Sequence, residues 1–265
     1  LSYETGLILY NNKVVLDEFS NELAQYGFLG SPGQNAVTMV RVKVGDKLGN
    51  IYGPVFQGVN ADGSPQFEDV TGDGTLNTDS GNVLQDDYDG RVLGTAYPTL
   101  EMSWSNVVEF GDGWTLNAFF RGAFGHSLIN TFRAFYEPNV PSQTSYNQMN
   151  TSLREPNLAV AQYSSLYVEK ADFFLLDNLT LSKQIFFPEG SGIKDLTVSL
   201  NALRPFVITS YTGTDPSPEL FDALGGGEEG VEAGSDGAAL LAPGIDRRQD
   251  YFASKTFSIG LSVNF

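Results

Sequence analysis

The chain has 265 residues, 41% of them hydrophobic and 12% aromatic, and its 32 Asp and Glu outweigh its 15 Lys and Arg to give a formal net charge of -17 at pH 7. Such an acidic surface lacks the basic footprint that phosphate binding needs, which excludes nucleic acid as a partner. With no Cys and a single His, His126, the chain cannot form disulfides, thiol nucleophiles, Cys-ligated zinc sites or mechanisms that need two histidines. The 29 Gly, 12 Pro, 19 Phe and 12 Tyr are typical of aromatic-rich strands separated by turns, so we expect an all-β protein.

The chain begins inside a strand-like pattern of alternating apolar residues. Leu1 opens in the middle of an alternating apolar segment, with no signal-peptide core in front of it. We therefore expect a processed or partial chain. No apolar run approaches the roughly 18 residues of a transmembrane helix. Residues 1–10 are predicted to end a descending strand, 11–35 to form a long connection, and 37–58 to form one ascending strand.

Long two-faced strands follow. Residues 99–124 predict a hairpin that turns at 111–113, and residues 173–208 predict a second hairpin that turns at 188–192. The last strand ends at Phe265. Side chains alternate faces along a strand, and one face of these strands is apolar. Its predicted members are Leu100, Met102, Trp104, Val108, Phe110, Trp114, Leu116, Ala118, Phe120, Phe124, Phe173, Leu175, Leu179, Leu181, Ile185, Phe187, Leu196, Val198, Leu200, Ala202, Phe206, Ile208, Phe257, Ile259, Leu261, Val263 and Phe265.

The lengths of strands and connections favour a membrane barrel. Strands of about ten residues exceed the usual five or six and match what crosses a bilayer. Short turns alternate with the long stretches 125–170 and 210–254, as in outer-membrane barrels with short periplasmic turns and long extracellular loops. About seven strands with two open edges would leave backbone groups unpaired in lipid. Other sequence, in the same or a separate chain, must therefore supply the remaining strands.

Several segments carry a more specific pattern. They are the glycine-rich 45–53 with 58–60, the acidic 69–74, the hairpin arm 120–125, the strand 171–181, and 208–216 followed by the terminal Phe265. In this order they resemble the C-terminal region of the SusC/RagA family of TonB-dependent outer-membrane transporters of Bacteroidota. Within 171–181, Phe173 and Leu175 replace the Tyr and Arg of the family's usual Tyr-x-Arg-Leu core.

The resemblance implies that 1–265 is the C-terminal part of an antiparallel transmembrane β-barrel of roughly 22 strands with a plugged lumen. It implies partners as well: the rest of the barrel and the plug, a SusD-like surface lipoprotein, TonB through the plug-bearing part, and outer-membrane lipid of a Gram-negative bacterium. The function implied is import of oligosaccharides or oligopeptides. The plug belongs to the N-terminal part of such proteins and has no counterpart in 1–265.

The acidic segment at 69–79 is also a candidate calcium site. Oxygen donors recur at every second residue around a glycine turn, which is the ligand spacing of a calcium loop. The twelfth position, where a bidentate Glu would close such a loop, is Ser80. An acidic turn held by Asx hydrogen bonds is the alternative. The predicted ligands are Asp69, Thr71, Asp73, the backbone of Thr75, Asn77 and Asp79.

Polar residues on the predicted inner face are the other candidate site. Arg121 and Asn117 lie on the lumen side of one strand, where they could contact substrate or plug, or belong to a polar network inside the barrel. His126 is expected to be a solvated loop residue. The loop aromatics could stack on sugar rings or contact the lipoprotein; they are Phe132, Phe135, Tyr136, Tyr146 and Tyr163.

Three other functions would each require different features of the chain. A glycosidase needs two carboxylates at a defined separation, and no pair in the sequence is so placed, so we expect no enzyme. A structural or anchoring barrel component of a larger surface or secretion assembly would share the same strands without importing anything. A soluble sugar-binding β-sandwich would have shorter strands and would bury the apolar face in a compact core.

Overall fold

A computed structural model of the chain describes residues 1–19, 23–30, 34, 37–79, 84–140, 148–217, 220, 240–248 and 251–265. The elements, in chain order, are β1 (Ser2–Tyr10), β2 (Leu23–Phe28), β3 (Thr38–Lys43), β4 (Asn50–Gly53), β5 (Phe56–Val59), β6 (Pro65–Phe67), β7 (Arg91–Thr95), β8 (Leu100–Phe110), β9 (Trp114–Phe124), β10 (Ser127–Asn130), α1 (Thr131–Tyr136), a 3-10 turn (Ser165–Tyr167), β11 (Val168–Lys170), β12 (Phe173–Phe186), β13 (Asp195–Thr209), β14 (Ile245–Asp246) and β15 (Thr256–Asn264).

The long strands form one open, antiparallel sheet of six strands in the order β1-β8-β9-β12-β13-β15. Both predicted hairpins are confirmed: β8 pairs with β9 from Leu100↔Phe124 to Phe110↔Trp114, and β12 pairs with β13. Strands β12 and β13 span 14 and 15 residues, well beyond the strands of an ordinary sandwich. The predicted all-β, partial-barrel architecture is therefore confirmed. The sheet has six long strands where the sequence predicted about seven.

The two faces of the sheet differ as predicted. The apolar face is exposed, with Phe257 71% and Ile259 75% accessible. Aromatic rings cross this face from strand to strand, because Trp104 stacks on Phe120 and Phe120 stacks on Phe174 at centroid distances of 5.1 and 5.4 Å. No second sheet covers this face among the described residues, whereas the sandwich alternative required a compact core there.

Because of a β-bulge in β12, two residues lie on the face of the sheet opposite to the one predicted. The pairing with β9 shifts between Leu176 and Asn178, which leaves Asp177 as an extra residue. One extra residue shifts the alternation by one position, so the residues before it point to the face opposite to the one expected from the residues after it. Phe173 and Leu175 were predicted on the apolar outer face, but they point to the opposite face and are buried there.

The predicted course of the N-terminal region is also wrong. β1 pairs antiparallel with β8, from Ser2↔Glu109 to Tyr10↔Glu101. It therefore runs in the same direction as β9. Its last residue, Tyr10, lies at the end of the sheet opposite the 111–113 turn, and we call this the upper end. Residues 11–99 connect two upper ends, and 37–58 contributes short strands instead of one ascending strand. Alternation alone does not give strand direction, and the prediction chose the wrong one.

The connections at the upper end pack together into a folded cap. A four-stranded sheet, β2-β3-β4-β7, and a three-stranded sheet, β11-β10-β14, belong to it. Their shared core joins residues far apart in sequence and contains Leu29, Met39, Val40, Ile51, Ile129, Ala134, Tyr163, Tyr167, Ala242 and Ile245. The stretches predicted to be irregular loops thus carry a core of their own. In the described part of the chain, no helix is long and apolar enough to cross a membrane.

Candidate functional site

The cap contains a cavity of about 310 Å³ at the N-terminus of α1. Apolar side chains form much of its wall, and most of the polar lining residues carry hydroxyl groups. This mixture suits a ligand with both apolar and hydrogen-bonding parts. The lining residues are Asn130, Phe132, Arg133, Met149, Thr151, Ser152, Leu153, Thr212, Gly213, Thr214 and Phe252.

A buried ionic network forms the floor of this cavity. The Arg133 guanidinium donates from Nε to Glu137 Oε1 at 2.8 Å and from Nη1 to Glu169 Oε1 at 2.9 Å. It also donates to the carbonyl groups of Leu153 and Leu166. Burial alone would lower the pKa of Arg133, but the hydrogen bonds and charges of the two glutamates outweigh burial and raise it. The guanidinium therefore stays charged and fixes the segments around it.

The start of α1, which positions Arg133, is determined by residues close to it in the sequence. Asn130 caps α1, since its side-chain Oδ1 accepts from the backbone N–H of Arg133 at 3.1 Å. Its Nδ2 donates to Glu169 Oε1 at 3.1 Å. Arg133 and Glu137 are four residues apart and so lie on the same side of the helix. Asn130, Arg133 and Glu137 were not among the predicted site residues, although Asn130 as a cap and the Arg133–Glu137 spacing are recognisable in the sequence.

The segment 211–217 folds back and closes one side of the cavity. Asp246 Oδ2 accepts from the Tyr211 hydroxyl at 2.6 Å and from the Thr214 backbone N–H at 2.7 Å. Thr212 is held through Glu169 Oε2, which accepts from its backbone N–H at 3.0 Å. These contacts hold the predicted motif at 208–216 against the rest of the cap.

Two further anchors tie the same segment to the strand ends. Asp215 Oδ2 forms an ion pair with Arg204 Nη1 at 2.9 Å. Arg204 has a φ of 49°, which is uncommon for a residue with a side chain. Burial alone would raise the pKa of Asp215, but hydrogen bonds from Arg204 and Ser217 lower it overall, so the carboxylate stays ionised.

His126 provides the last anchor and corrects a prediction. It is 1% exposed and not a solvated loop residue. Its Nε2 lies 2.9 Å from the Pro216 carbonyl oxygen, so this nitrogen carries the proton. Burial lowers its pKa, which keeps the ring neutral. The His126 ring contacts the Phe173 ring edge-on, with 6.3 Å between ring centroids. Because Phe173 points to the inner face of β12, the segment 211–217 lies over that face.

Of the predicted lumen residues, the structure gives Arg121 a clear partner. Its Nε donates to Asp177 Oδ2 at 2.7 Å, so the bulged residue of β12 supplies the counter-charge. Asn117 lies on the same face, four residues lower on β9 and opposite Thr180, and does not join this pair. Below the ion pair, Thr180 Oγ1 donates to Asn201 Oδ1 at 2.9 Å, so the inner face carries a polar network.

The predicted calcium loop is folded around Asp89, which was not among the predicted ligands. Asp89 is fully buried, and its carboxylate accepts from the backbone N–H groups of Val70, Thr71 and Asn77 at 2.8, 3.0 and 2.8 Å. Asp69 Oδ1 and Oδ2 accept from the N–H groups of Gly72 and Gly74.

Several of the remaining predicted ligands form hydrogen bonds within this loop or to Asp89. Asp73 Oδ1 accepts from the Thr75 N–H at 2.7 Å, which is an Asx turn. In the described part of the chain, no three acidic or His side chains are grouped as a metal site would need. Ser80 lies outside the described residues. Calcium binding here remains a prediction.

The loop aromatics divide into three groups. Tyr163 belongs to the buried core of the cap. Phe132 and Phe135 each pack against Tyr136, at 4.9 and 4.6 Å between ring centroids, and all three are half-buried. Tyr146 lies outside the described residues. Of the four that the structure describes, only Phe132 lines the α1 cavity.

Comparison with known proteins supports the architecture. No protein-family model matches the chain, and no curated protein matches its sequence. Three solved structures share its fold over 99% of its length: the RagAB peptide transporter at 18% identity and TM-score 0.67, the RagAB peptide importer in the "closed-closed" state at 17% and 0.64, and in the "open-open" state at 19% and 0.60.

The match covers this chain far more completely than it covers those proteins. The chain spans 27% of the length of the first two and 26% of the third. The resemblance to SusC/RagA proteins predicted from the sequence is therefore confirmed at the level of the fold, which is that of about a quarter of a RagAB peptide transporter chain.

Proposed function

We propose that this chain is the C-terminal barrel wall and cap of a TonB-dependent importer in the outer membrane of a Gram-negative bacterium. Its cargo is an oligopeptide or an oligosaccharide, and it acts with a SusD-like surface lipoprotein. The plug and the TonB-contacting segment are supplied by the rest of the barrel, in the same or a separate chain. The chain's own role is mechanical and recognitive, without catalysis.

One observation carries the proposal: a six-stranded sheet with an apolar outer face, a polar inner face and two open edges supports a folded cap at one end only. Strands β1 and β15 leave unpaired backbone groups at the edges, and each such group in lipid costs several kcal/mol. Further strands that continue the sheet on both sides remove this cost. The fold shared with the RagAB peptide transporter supports the same assembly.

The α1 cavity is proposed to contact cargo at the mouth of the barrel. Its mixed lining suits a peptide side chain with its backbone, or a sugar ring with its hydroxyl groups. Nε, Nη1 and Nη2 of the Arg133 guanidinium each donate to the cap's own groups, so this side chain serves to hold the cavity in shape. Recognition then falls to other lining hydroxyl groups, such as those of Ser152 and Thr214.

The experiment is uptake and co-purification in the native host. The complex is extracted in detergent through an affinity tag on this chain, and uptake of labelled oligopeptides and oligosaccharides is measured with and without TonB. A plug-bearing chain and a lipoprotein should co-purify, and uptake should require TonB. Co-purification of other surface proteins together with unchanged uptake after deletion of the chain would instead establish an anchoring component.

A cavity-filling variant tests the role of the cap. Ser152→Trp places a large ring in the α1 cavity from an exposed lining position. Uptake of the cargo should fall at least tenfold while the complex still assembles. The matched control, Glu189→Trp, introduces the same ring at an exposed turn at the opposite end of the sheet and should leave uptake unchanged.

A further inference from the structure

The apolar outer face of the six-stranded sheet carries a groove of about 520 Å³. It forms because the small side chain of Ala202 lies between two larger ones, Leu179 and Phe257, in one cross-strand row. Asn201 and Ser258, in the neighbouring row, complete the lining. The lining residues that belong to the outer face are Leu179, Leu181, Leu200, Ala202, Phe257 and Ile259.

A single lysine shares this apolar face. Lys183 pairs with Trp114, the first residue of β9 after the 111–113 turn, so it lies at the end of the sheet with that turn, which we call the lower end. Of the described residues that share the outer face in β8, β9, β12 and β15, Lys183 alone is charged. Charged side chains are rare on surfaces that face lipid, and those that occur there commonly have a function.

The Lys183 ammonium reaches from the apolar face to the turn. Its Nζ lies 5.7 Å from the centre of the Trp114 ring and 3.6 Å from Asp112 Oδ2. The apolar stem of such a side chain packs on the sheet while its charged end reaches water. A charge-assisted hydrogen bond is about 2.7–2.9 Å long, so the contact with Asp112 is looser than that. Because an ammonium has three N–H donors, Lys183 can also bind an anionic oxygen of a ligand.

The two charges at this position complement a zwitterionic headgroup. Lys183 is cationic, and the Asp112 carboxylate beside it is fully exposed. A phosphate bound to Lys183 brings an ammonium group of the same headgroup to Asp112. A headgroup with a phosphate alone would leave the Asp112 charge unpaired, and a quaternary ammonium has no N–H to donate to it. The pair therefore favours a headgroup with a phosphate and a primary ammonium.

The groove lies at the depth of the acyl chains that belong to such a headgroup. The hydrocarbon core of a bilayer is about 30 Å thick, so the chains of one leaflet span about 15 Å. Leu181 and Leu179 precede Lys183 by two and four residues on the same face of β12, which is about 7 and 13 Å along the strand. Strands that continue the sheet beyond β15 would extend this face without covering the groove.

We propose that the outer face at β12, β13 and β15 binds one phosphatidylethanolamine molecule of the leaflet at the lower end. Its phosphate contacts Lys183, its primary ammonium contacts Asp112, and one acyl chain lies in the groove over Ala202. The proposal rests on the membrane placement in the proposed function, but it does not depend on import. It goes beyond general contact with lipid, because it predicts one site with a headgroup preference.

The test is native mass spectrometry of the detergent-solubilised complex, with no transport involved. The complex is freed of lipid by detergent exchange and titrated with phosphatidylethanolamine, phosphatidylglycerol or phosphatidylcholine that carry the same acyl chains. The first phosphatidylethanolamine should bind about tenfold more tightly than either of the others. Lys183→Gln should weaken its binding about tenfold, and Asp112→Asn should remove the preference over phosphatidylglycerol.

Two matched controls separate the site from its surroundings. Ala202→Leu fills the groove and should weaken phosphatidylethanolamine binding about tenfold, whereas Ala118→Leu adds the same bulk to the same face outside the groove and should bind like the wild type. Lys170→Gln removes an exposed lysine at the upper end and should also bind like the wild type. The mass of the intact complex verifies that each variant assembles.

Three results would overturn the proposal. These are equal binding of the three lipids by the wild type, which leaves general lipid contact only; equal binding by Lys183→Gln and Lys170→Gln; and equal binding by Ala202→Leu and Ala118→Leu. In a complex that needs detergent to stay in solution, each of these results removes the lipid site and leaves the importer proposal intact. A complex that is soluble without detergent would instead overturn the membrane placement, and the lipid site with it.

Discussion

Asp89 organises the acidic loop, and replacing it with Asn should open that loop without unfolding the barrel sheet. The carboxylate accepts three backbone N–H bonds, from Val70 and Thr71 on Oδ1 and from Asn77 on Oδ2. Burial alone would raise the pKa of Asp89, but these bonds outweigh burial and hold it below its ordinary value. Asn retains one oxygen and turns an amide donor toward the other backbone donors.

The magnitude follows from that exchange. At least one buried N–H loses its acceptor, which costs about 1–3 kcal/mol, and the remaining bonds lose the contribution of an ionised acceptor, about 0.5–1 kcal/mol each. The free energy of local opening of the loop should therefore fall by about 2–4 kcal/mol. Amide exchange at Val70, Thr71 and Asn77 should then speed up by about 30- to 1000-fold.

The measurement is hydrogen exchange of the loop amides in the purified complex, read by mass spectrometry. Asp73→Asn is the control, because the same substitution there affects an exposed carboxylate with a single backbone bond, from Thr75. Its exchange should change by less than about fivefold. If Asp89→Asn exchanges no faster than Asp73→Asn, the role assigned to Asp89 is wrong.

The pH dependence gives a second check with a definite sign. A carboxylate whose pKa is lower in the folded loop than in the open loop stabilises the loop at pH values above its ordinary pKa of about 3.9. That stabilisation is lost as the pH falls through the lowered pKa. Wild-type loop protection should therefore decline only below about pH 4, and Asp89→Asn should lack this transition.

Further predictions concern the cap, the outer face and the acidic loop. Arg133→Met leaves Glu137 buried without its cation and should destabilise the cap by about 3–5 kcal/mol, seen as rapid proteolysis of the cap with the barrel intact. Ile259→Lys places a charge on the apolar face and should cost about 2–4 kcal/mol in lipid, measured as a lower unfolding midpoint in bilayers, whereas Ser258→Lys on the opposite face should cost little. If the acidic loop binds calcium, terbium luminescence should rise with the metal and vanish in Asp69→Asn; an unchanged signal would exclude Asp69 as a ligand.

Strand identity and face were predictable because alternation is a local property. The pattern from Leu100 to Phe124 predicted both strands of its hairpin and the turn between them. In that turn Gly111 and Gly113 have φ values of 57° and 73°, which glycine adopts without strain. The same rule failed at Phe173 and Leu175 because residues 173–176 are all apolar, so no alternation there shows which side chains share a face once the extra residue, Asp177, shifts the register.

Strand direction and the cap were not predictable in the same way. The direction of β1 depends on its pairing with a strand about 100 residues later, which no local pattern encodes. The core of the cap joins Leu29 to Ile129 and Ile245 across three separate connections. His126 was misjudged for the same reason, because its burial depends on a segment 90 residues away.

Two residues of a segment that carries the family resemblance also hold the cap together. In the motif at 208–216, the Tyr211 hydroxyl and the Asp215 carboxylate are occupied by Asp246 and Arg204. Groups already paired within the protein have little left to offer a ligand. The resemblance therefore carries information about the fold and little about cargo.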